Sequence, residues 1–508
     1  MKTKSKSDLG QTSGGFEPGH EEILLALERF RDRKVLVCGD LILDRFIDGE
    51  IERISPEAPI PVLKALKRSI SLGGAGNVAA NIAALGGTAF VVAPMGDDET
   101  SRTVERLLSD IGVEGDGLVK IPSHTTPAKT RFSAQNQQVL RFDEEEIIQL
   151  SEESRQQIGA AFERYLDRVD VVILSDYGKG ALLDGMSEFF IKKCRQLEKP
   201  VIVDPKGRDF ARYSGATAVS PNLKELGNAV DRPVTLDDEV IAAARQLIRD
   251  HKIDFILATR SEKGMSVVDE NDVHHIPTRA REVFDVAGAG DTAVACFALS
   301  LASGLGREYS AFIANIASGI VVGKRGTAQA TPEEIETALQ ADRWQNLHRA
   351  IASRKSAAQT VAKWKQEGLS VAFTNGCFDI LHTGHVSLMR QAKATADRLV
   401  VGLNSDDSVR RLKGEGRPVN SESDRAAIIA SLSDVDMVVI FDEDTPLSLI
   451  ELICPDVLVK GADYTIENVV GADIVKAYGG KVVLAELVEG KSTSNILKQQ
   501  AVRAANSG

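Results

Sequence analysis

The chain has no uninterrupted apolar run approaching the roughly 18 residues that a membrane helix needs, which excludes an integral membrane protein built of helices. Cysteine is scarce. Cys38, Cys194, Cys296, Cys377 and Cys454 are scattered through 508 residues without a C-x-x-C pair. That spacing argues against a disulfide framework or a zinc site and for reduced, buried thiols, which suit a cytoplasm. Positive charge is in deficit: 61 Lys and Arg face 73 Asp and Glu, a net charge of -12. A basic face for a phosphate backbone is missing, so nucleic acid is not an expected partner, and neither is a membrane. The opening MKTKSKSDLGQTSGGFEPGH has lysines but no apolar stretch behind them. It makes a poor signal peptide, and residues 1–20 are expected to be a disordered tail. No internal repeat is evident.

What the chain has is length and alternation. From Lys34, short β-branched runs (KVLVCGD, FVVAPMGDD, VVILSDYGKG, VIVDPKG, TAVSPN, FILATRSEKG) each break into Gly, Asp, Asn or Lys after four or five apolar residues. Such runs predict parallel strands buried on both faces, with polar residues delivered at their carboxyl ends, where open α/β sheets bind ligands. Near Thr331 the texture changes to almost forty helical, charged residues without a strand candidate, and Thr331 with Glu334 fits a capping box. Alternation resumes with SVAFTNG, LVVGLNSDD, DMVVIFDED, VLVKGAD and KVVLAELVEG, enough for a separate five-stranded parallel sheet. The expected organisation is a first α/β domain over 21–345, a connector helix over 346–370 and a smaller α/β domain over 371–508.

In REVFDVAGAGDTAVACFALSLASG, Gly288, Ala289 and Gly290 precede Asp291 and a small-residue helical pattern. Glycines let backbone N–H groups approach a ligand and a helix start favours an anion, so a phosphoryl group fits there. Asp291 is placed to take a proton from a sugar hydroxyl, which is too weak a nucleophile without a base. The plain alternative is that Asp291 is an N-cap. This motif, together with GGAGNVAANIAALGG from Gly73, resembles the ribokinase (PfkB) family of carbohydrate kinases over roughly residues 30 to 330. The resemblance implies a ribokinase-like fold in which Asp40, Asp44, Gly74 and Asn77 bind sugar hydroxyls. It also implies that Asn222, Leu223, Lys224 and Glu225 in PNLKEL handle the Mg-nucleotide phosphates, and that Thr259 and Gly264 line the nucleotide site. Asp40 could instead merely end a strand, and Asn222 could be a turn residue. If the sugar already carries a phosphate, Lys129, Arg131 and Arg141 in KTRFSAQNQQVLRFDEE are the cations available to meet it.

Further along, TNGCFDILHTGHVSLMRQAK sets His382 and His385 three residues apart at the start of a predicted helix. Both imidazoles then lie on one side of the first turn, able to share the charge that builds up when an α-phosphate is attacked. A zinc pair is the rival reading, disfavoured because no third His or Cys is nearby, and no bound metal is assigned. H-x-G-H after a strand ending G-x-F-D resembles the cytidylyltransferase-like nucleotidyltransferases, from about Val371 onward. That implies a Rossmann-like domain in which Lys413 neutralises the triphosphate and Ser492, Thr493 and Ser494 of KSTSNILKQ hold phosphates. The family's usual I-S-S-T is altered there, which leaves the register of those hydroxyls in doubt. Asp406 and Asp463 are weaker candidates.

Domain order and wording such as RLKGEGRPVN resemble the bifunctional heptose 7-phosphate kinase and heptose 1-phosphate adenylyltransferase family over nearly the whole chain. The resemblance implies two ATP-dependent, Mg²⁺-assisted reactions of ADP-heptose synthesis for lipopolysaccharide, acting on sugar phosphates, with a homodimer formed through lid strands. A hexose kinase fused to a cytidylyltransferase for a polyol or amino-alcohol phosphate is the alternative enzyme. A binding protein that has lost turnover is disfavoured because Asp291, His382 and His385 are all present.

Overall fold

The computed structural model describes residues 20–486 apart from 123, 136, 279–282, 325 and 463–464. The chain divides into two compact units, Met1–Ala338 and Leu339–Gly508.

In the first unit the strands run β1 (Lys34–Gly39), β2 (Leu41–Ile54), β3 (Pro61–Gly74), β4 (Thr88–Met95), β5 (Leu118–Lys120), β6 (Ala128–Ala134) and β7 (Gln137–Glu144). They continue with β8 (Val171–Ser175), β9 (Val201–Asp204), β10 (Ala218–Val219), β11 (Phe255–Thr259), β12 (Met265–Val268) and β13 (Val273–Ile276). Nine of them form one sheet in the order β13-β12-β11-β10-β9-β8-β1-β4-β5, parallel except where β12 joins β11 and β13. All six expected runs are strands of this sheet. Their continuous apolar character has the expected cause, since Val35, Leu36, Val37, Val172, Ile173 and Ile202 are all fully buried between helical layers.

A second sheet, in the order β3-β2-β6-β7, lies apart from the first and is far wetter. Strands β2 and β3 are 14 residues each and pair antiparallel, with β2 parallel to β6. Neither was expected as a long strand. Their apolar residues alternate with Arg, Lys, Asp and Ser, and Leu66, Ile70, Leu140 and Phe142 stay exposed. The register sets Asp44 beside Lys129, Phe46 beside Arg131, and Arg131 beside Arg141, so these side chains share one face of the sheet.

The second unit holds a six-stranded parallel sheet in the order β14-β17-β16-β15-β18-β19. The five expected strands are β15 (Val371–Gly376), β16 (Arg398–Asn404), β17 (Met437–Phe441), β18 (Val457–Gly461) and β19 (Lys481–Ala485). The sixth, β14, is only Ile351–Ala352, an edge pairing with β17 inside the stretch read as strandless. Two residues are too few to leave a periodic signal. Around it lie helices Pro332–Ala350 and Arg354–Gln366, and the Thr331–Glu334 capping box is present at the start of the first.

The core behind β8 is dominated by aromatic packing: Phe162 is fully buried, with its ring centroid 4.4 Å from Phe190 and 6.3 Å from Phe189. Phe162→Ala is expected to lower the unfolding free energy of the first unit by about 3 to 5 kcal/mol, read as a shift in denaturant midpoint at unchanged slope.

Candidate active sites

In the first unit the glycine turn after residue 285 leads into helix Ala289–Ala302. Its N-cap is Gly288, at φ +79°, and not Asp291. A side chain on Gly288 would come within 2.9 Å of Asn77 Nδ2, whereas one on Gly290 would meet nothing within 4 Å. The turn is therefore closed toward the protein and open on its outer side, where an anion would meet the helix N-terminus.

Asp291 sits in the first turn, 4% exposed. Asn77 Nδ2 donates to its Oδ2 at 2.6 Å and the Tyr177 hydroxyl donates to its Oδ1 at 2.9 Å. Burial, against the pull of these two bonds, raises its pKa to about 6, with the Asp44 charge adding to the rise. A carboxyl poised there can exchange a proton near neutral pH. Behind it, Asn81 donates to the Asn77 carbonyl at 2.9 Å and accepts from Thr292 at 2.7 Å, so the site's polar atoms form a chain into the core.

Asp40 and Gly74 are tied together differently. Gly74 has φ +58°, and a Cβ there would strike the Asp40 carbonyl oxygen at 2.3 Å. The Asp40 carboxylate accepts backbone N–H bonds from Tyr177, Lys179 and Ala181, each at 2.9 Å. Burial still pushes its pKa up, against those three bonds. Asp40 thus clamps the loop after β8. Asp44, also buried, accepts from Arg131 at 2.6 Å, and the Arg131 guanidinium lies 5.4 Å from the Phe46 ring. Lys129 is half-buried with its ammonium 5.9 Å from the Tyr177 ring, its pKa lowered chiefly by burial. Arg141 is exposed and paired with Asp143 at 2.9 Å.

Among the residues expected to meet the nucleotide, Asn222 caps helix Leu223–Ala229 in a capping box with Glu225. Leu223 packs against the core, while Lys224 is exposed. Asn222 bridges to Thr259 at the end of β11, which joins these two predicted elements. Gly264, at φ +85°, turns the chain into β12 so tightly that a Cβ would meet the Ile276 carbonyl oxygen at 2.0 Å. Asp204, at the end of β9, feels the charges of both Asp291 and Glu225. Burial raises its pKa well above the ordinary range, and the charges of Asp291, Glu225 and Asp176 add to the rise.

In the second unit His382 begins helix Thr383–Lys393, and its ring stacks on His385 with centroids 3.8 Å apart and planes at 20°. Phe378, at φ +42°, meets His385 edge-on at 5.2 Å. Burial, then the neighbouring His382, lowers the His385 pKa to about 4. Positive charge from Lys413, Arg425 and Lys460 bears on the adjacent Cys377 thiol, whose pKa burial nonetheless raises. Asp406 accepts from Arg425 at 2.6 Å. Ser492, Thr493, Ser494 and Asp463 lie outside the described residues.

Sequence reasoning missed three residues. Tyr177 stands in the polar break after β8 and Asp204 is the last residue of β9, where the polar signal flagged strand ends in general. Arg425 lies in DRAAIIA and reads as a solvent-facing helix residue. It is instead 1% exposed and donates to the carbonyls of Cys377, Asn404 and Asn420, joining the ends of β15 and β16 to the helix Glu422–Ala430.

Residues 32–334 match the pfkB family of carbohydrate kinases and residues 373–500 the cytidylyltransferase-like family. The bifunctional protein HldE of Mesorhizobium japonicum is 58% identical over 481 residues, covering 94% of this chain and 97% of its own. Its namesake from Paramagnetospirillum magneticum is 50% identical over 474 residues, covering 93% and 97%. Among solved structures, phosphofructokinase-2 of Escherichia coli in complex with potassium covers 61% of this chain and 98% of its own, with a TM-score of 0.51 at 21% identity, a likeness of fold.

The folded His385 binds its proton more weakly than an unfolded histidine near 6.5, so the unfolded state takes up protons as pH falls. Stability from this group is present above about 6.5 and lost as pH falls toward about 4. His385→Gln is expected to flatten the dependence of the second unit's unfolding midpoint on pH between 7 and 4, checked by denaturation at several pH values.

Proposed function

Because the chain belongs to the family of bifunctional HldE proteins, a pfkB-type carbohydrate kinase joined to a cytidylyltransferase-like nucleotidyltransferase, we propose that its two ATP-dependent activities build an ADP-heptose. The first phosphorylates O1 of D-glycero-β-D-manno-heptose 7-phosphate. The second joins heptose 1-phosphate to AMP and releases pyrophosphate, after a separate phosphatase has removed the 7-phosphate. The observation that carries the kinase reading is the buried Asp291 carboxylate beside an outward-open glycine turn, and the same chain carries a stacked histidine pair at a second helix start.

In the kinase, Asp291 takes the O1 proton as that oxygen attacks the γ-phosphorus of ATP, and ADP leaves. The N–H groups of the turn Gly288, Ala289 and Gly290 stabilise the charge on the moving phosphoryl group. Asp44 and Asn77 contact the sugar, while Asp40 and Gly74 shape its site from behind. Asn222, Leu223, Lys224, Glu225, Thr259 and Gly264 surround the nucleotide. Mg²⁺ is proposed to arrive with ATP. The Glu225 carboxylate offers the hard oxygen such an ion prefers, and the ion would neutralise phosphate charge.

The second reaction needs no base, since a sugar phosphate arrives already anionic. Its phosphate oxygen attacks the α-phosphorus of ATP. His382, His385 and Lys413 meet the charge that develops, with Ser492, Thr493 and Ser494 as proposed phosphate holders. A phosphate beside His385 opposes the push of burial, so the ring's proton would come and go with the substrate.

The distal phosphate is proposed to meet Lys129 or Arg131, on the face of the β3-β2-β6-β7 sheet that also bears Asp44, with the exposed Arg141 beside Arg131. Exposed Leu66, Ile70, Leu140 and Phe142 on the same sheet favour a second copy of this chain as their cover, hence a homodimer. Among the described residues no helix is long and apolar enough to cross a membrane. The free cysteines favour a cytoplasmic site of action.

A ³¹P NMR assay with Mg-ATP and the heptose 7-phosphate tests the whole. A bisphosphate should form with wild type and His385→Ala but not with Asp291→Ala. After phosphatase treatment, an ADP-sugar should form only where His385 is intact. Wild type that leaves the heptose phosphate untouched removes the substrate assignment. Lys129→Met and Arg131→Ala are expected to raise KM for the phosphorylated sugar by about tenfold or more at little cost in kcat. Unchanged KM in both ends that assignment.

A further inference from the structure

The loop after β8, residues 176–181, is held from two sides. Asp40 takes three of its backbone N–H groups. Asp176 accepts from the Gly178 N–H at 2.7 Å and from the Tyr213 hydroxyl at 2.7 Å, and pairs with Arg212 at 3.0 Å. A backbone pinned this way presents the Tyr177 side chain in one place, with its hydroxyl on Asp291 Oδ1 and its ring beneath Lys129. The other oxygen of Asp291 is held by Asn77. Two donors on two oxygens fix the rotation of the carboxyl group. A lone donor would leave it free to turn about its last bond.

We propose that Tyr177 is a positioning residue of the kinase, whose hydroxyl orients the Asp291 carboxylate so that a lone pair faces the sugar hydroxyl. The inference rests on Asp291 being the base. Around Asp291 stand Asn77 from helix Ala75–Ala84, Tyr177 from the β8 loop, Asp44 from β2 and Asp204 from the end of β9. Burial and then the Asp44 charge favour the protonated base, and the two hydrogen bonds oppose them. The Tyr177 hydroxyl keeps its own proton, since burial and the Asp291 charge push its pKa well up, so it acts only as a donor. No acid or base residue is asked to do more than one job.

Tyr177→Phe keeps the ring and removes the hydroxyl. The acid limb of kinase kcat/KM, expected near pH 6 in wild type, should move to higher pH in the variant, and kcat at pH 6 should fall by about tenfold. KM for ATP and adenylyl transfer by the same chain should hold. A fall confined to KM for the sugar means that Tyr177 binds substrate directly, and overturns the inference. So does an unmoved limb. A second measurement needs no substrate: ¹³C NMR titration of the Asp291 carboxyl, identified by difference from Asp291→Asn. Coincident titrations in wild type and Tyr177→Phe overturn the proposal whatever the sugar. A shifted titration in an enzyme that leaves heptose 7-phosphate untouched keeps Tyr177 in its role and ends the substrate reading alone.

Discussion

A carboxylate taken out of water has to be given hydrogen-bond donors, and the kinase unit is arranged around two that are. Asp40 is supplied by three backbone N–H groups of a single loop. Asp291 is supplied by one amide and one phenol, from elements far apart in the chain. The difference matters chemically. Backbone donors tie Asp40 to one loop, whereas two side-chain donors leave Asp291 with lone pairs to spare and a pKa of about 6. The central sheet makes both possible, because β1 and β8 lie side by side and deliver Asp40 and Tyr177 to the same edge.

The nucleotidyltransferase unit solves the same problem with opposite charge. Arg425 is buried, and its guanidinium is satisfied by three carbonyls and Asp406. Two of the carbonyls, those of Cys377 and Asn404, stand at strand ends, and the third, of Asn420, just precedes the helix that carries Arg425. Truncating such a cation would strand several acceptors at once, so the group is held by its surroundings as firmly as it holds them.

How much of this was legible depended on range. Strands β1, β8 and β9 were readable because both faces are buried and the apolar run is continuous. Strands β2 and β3 were not, because long stretches of them are wet on both faces and the pattern mixes with charge. The glycine turn at Asp291 and the histidine spacing are local, and both could be read along the chain. Tyr177 could not, since its partner lies 114 residues away and nothing beside it in the sequence announces a hydroxyl donor. Arg425 defeated pattern reading for a related reason: its acceptors are backbone carbonyls, which have no residue identity. The connector was read as helical, and β14 escaped because two residues at an edge carry no period.

Long range also has a consequence for how the protein is made. Asn77 and Asp291 are 214 residues apart, and the bond between them ties helix Ala75–Ala84 to helix Ala289–Ala302. At bacterial rates of about 5 to 20 residues per second, Asn77 leaves the ribosome about 10 to 40 seconds before its partner is synthesised. During that interval the nascent chain carries two polar amides, Asn77 and Asn81, in an otherwise small and apolar helix, without the Asp291 carboxylate and Thr292 hydroxyl that they meet later. The first half of the kinase is therefore an incomplete client of its own second half, and the Asn77–Asp291 pair forms only with the final third of that unit.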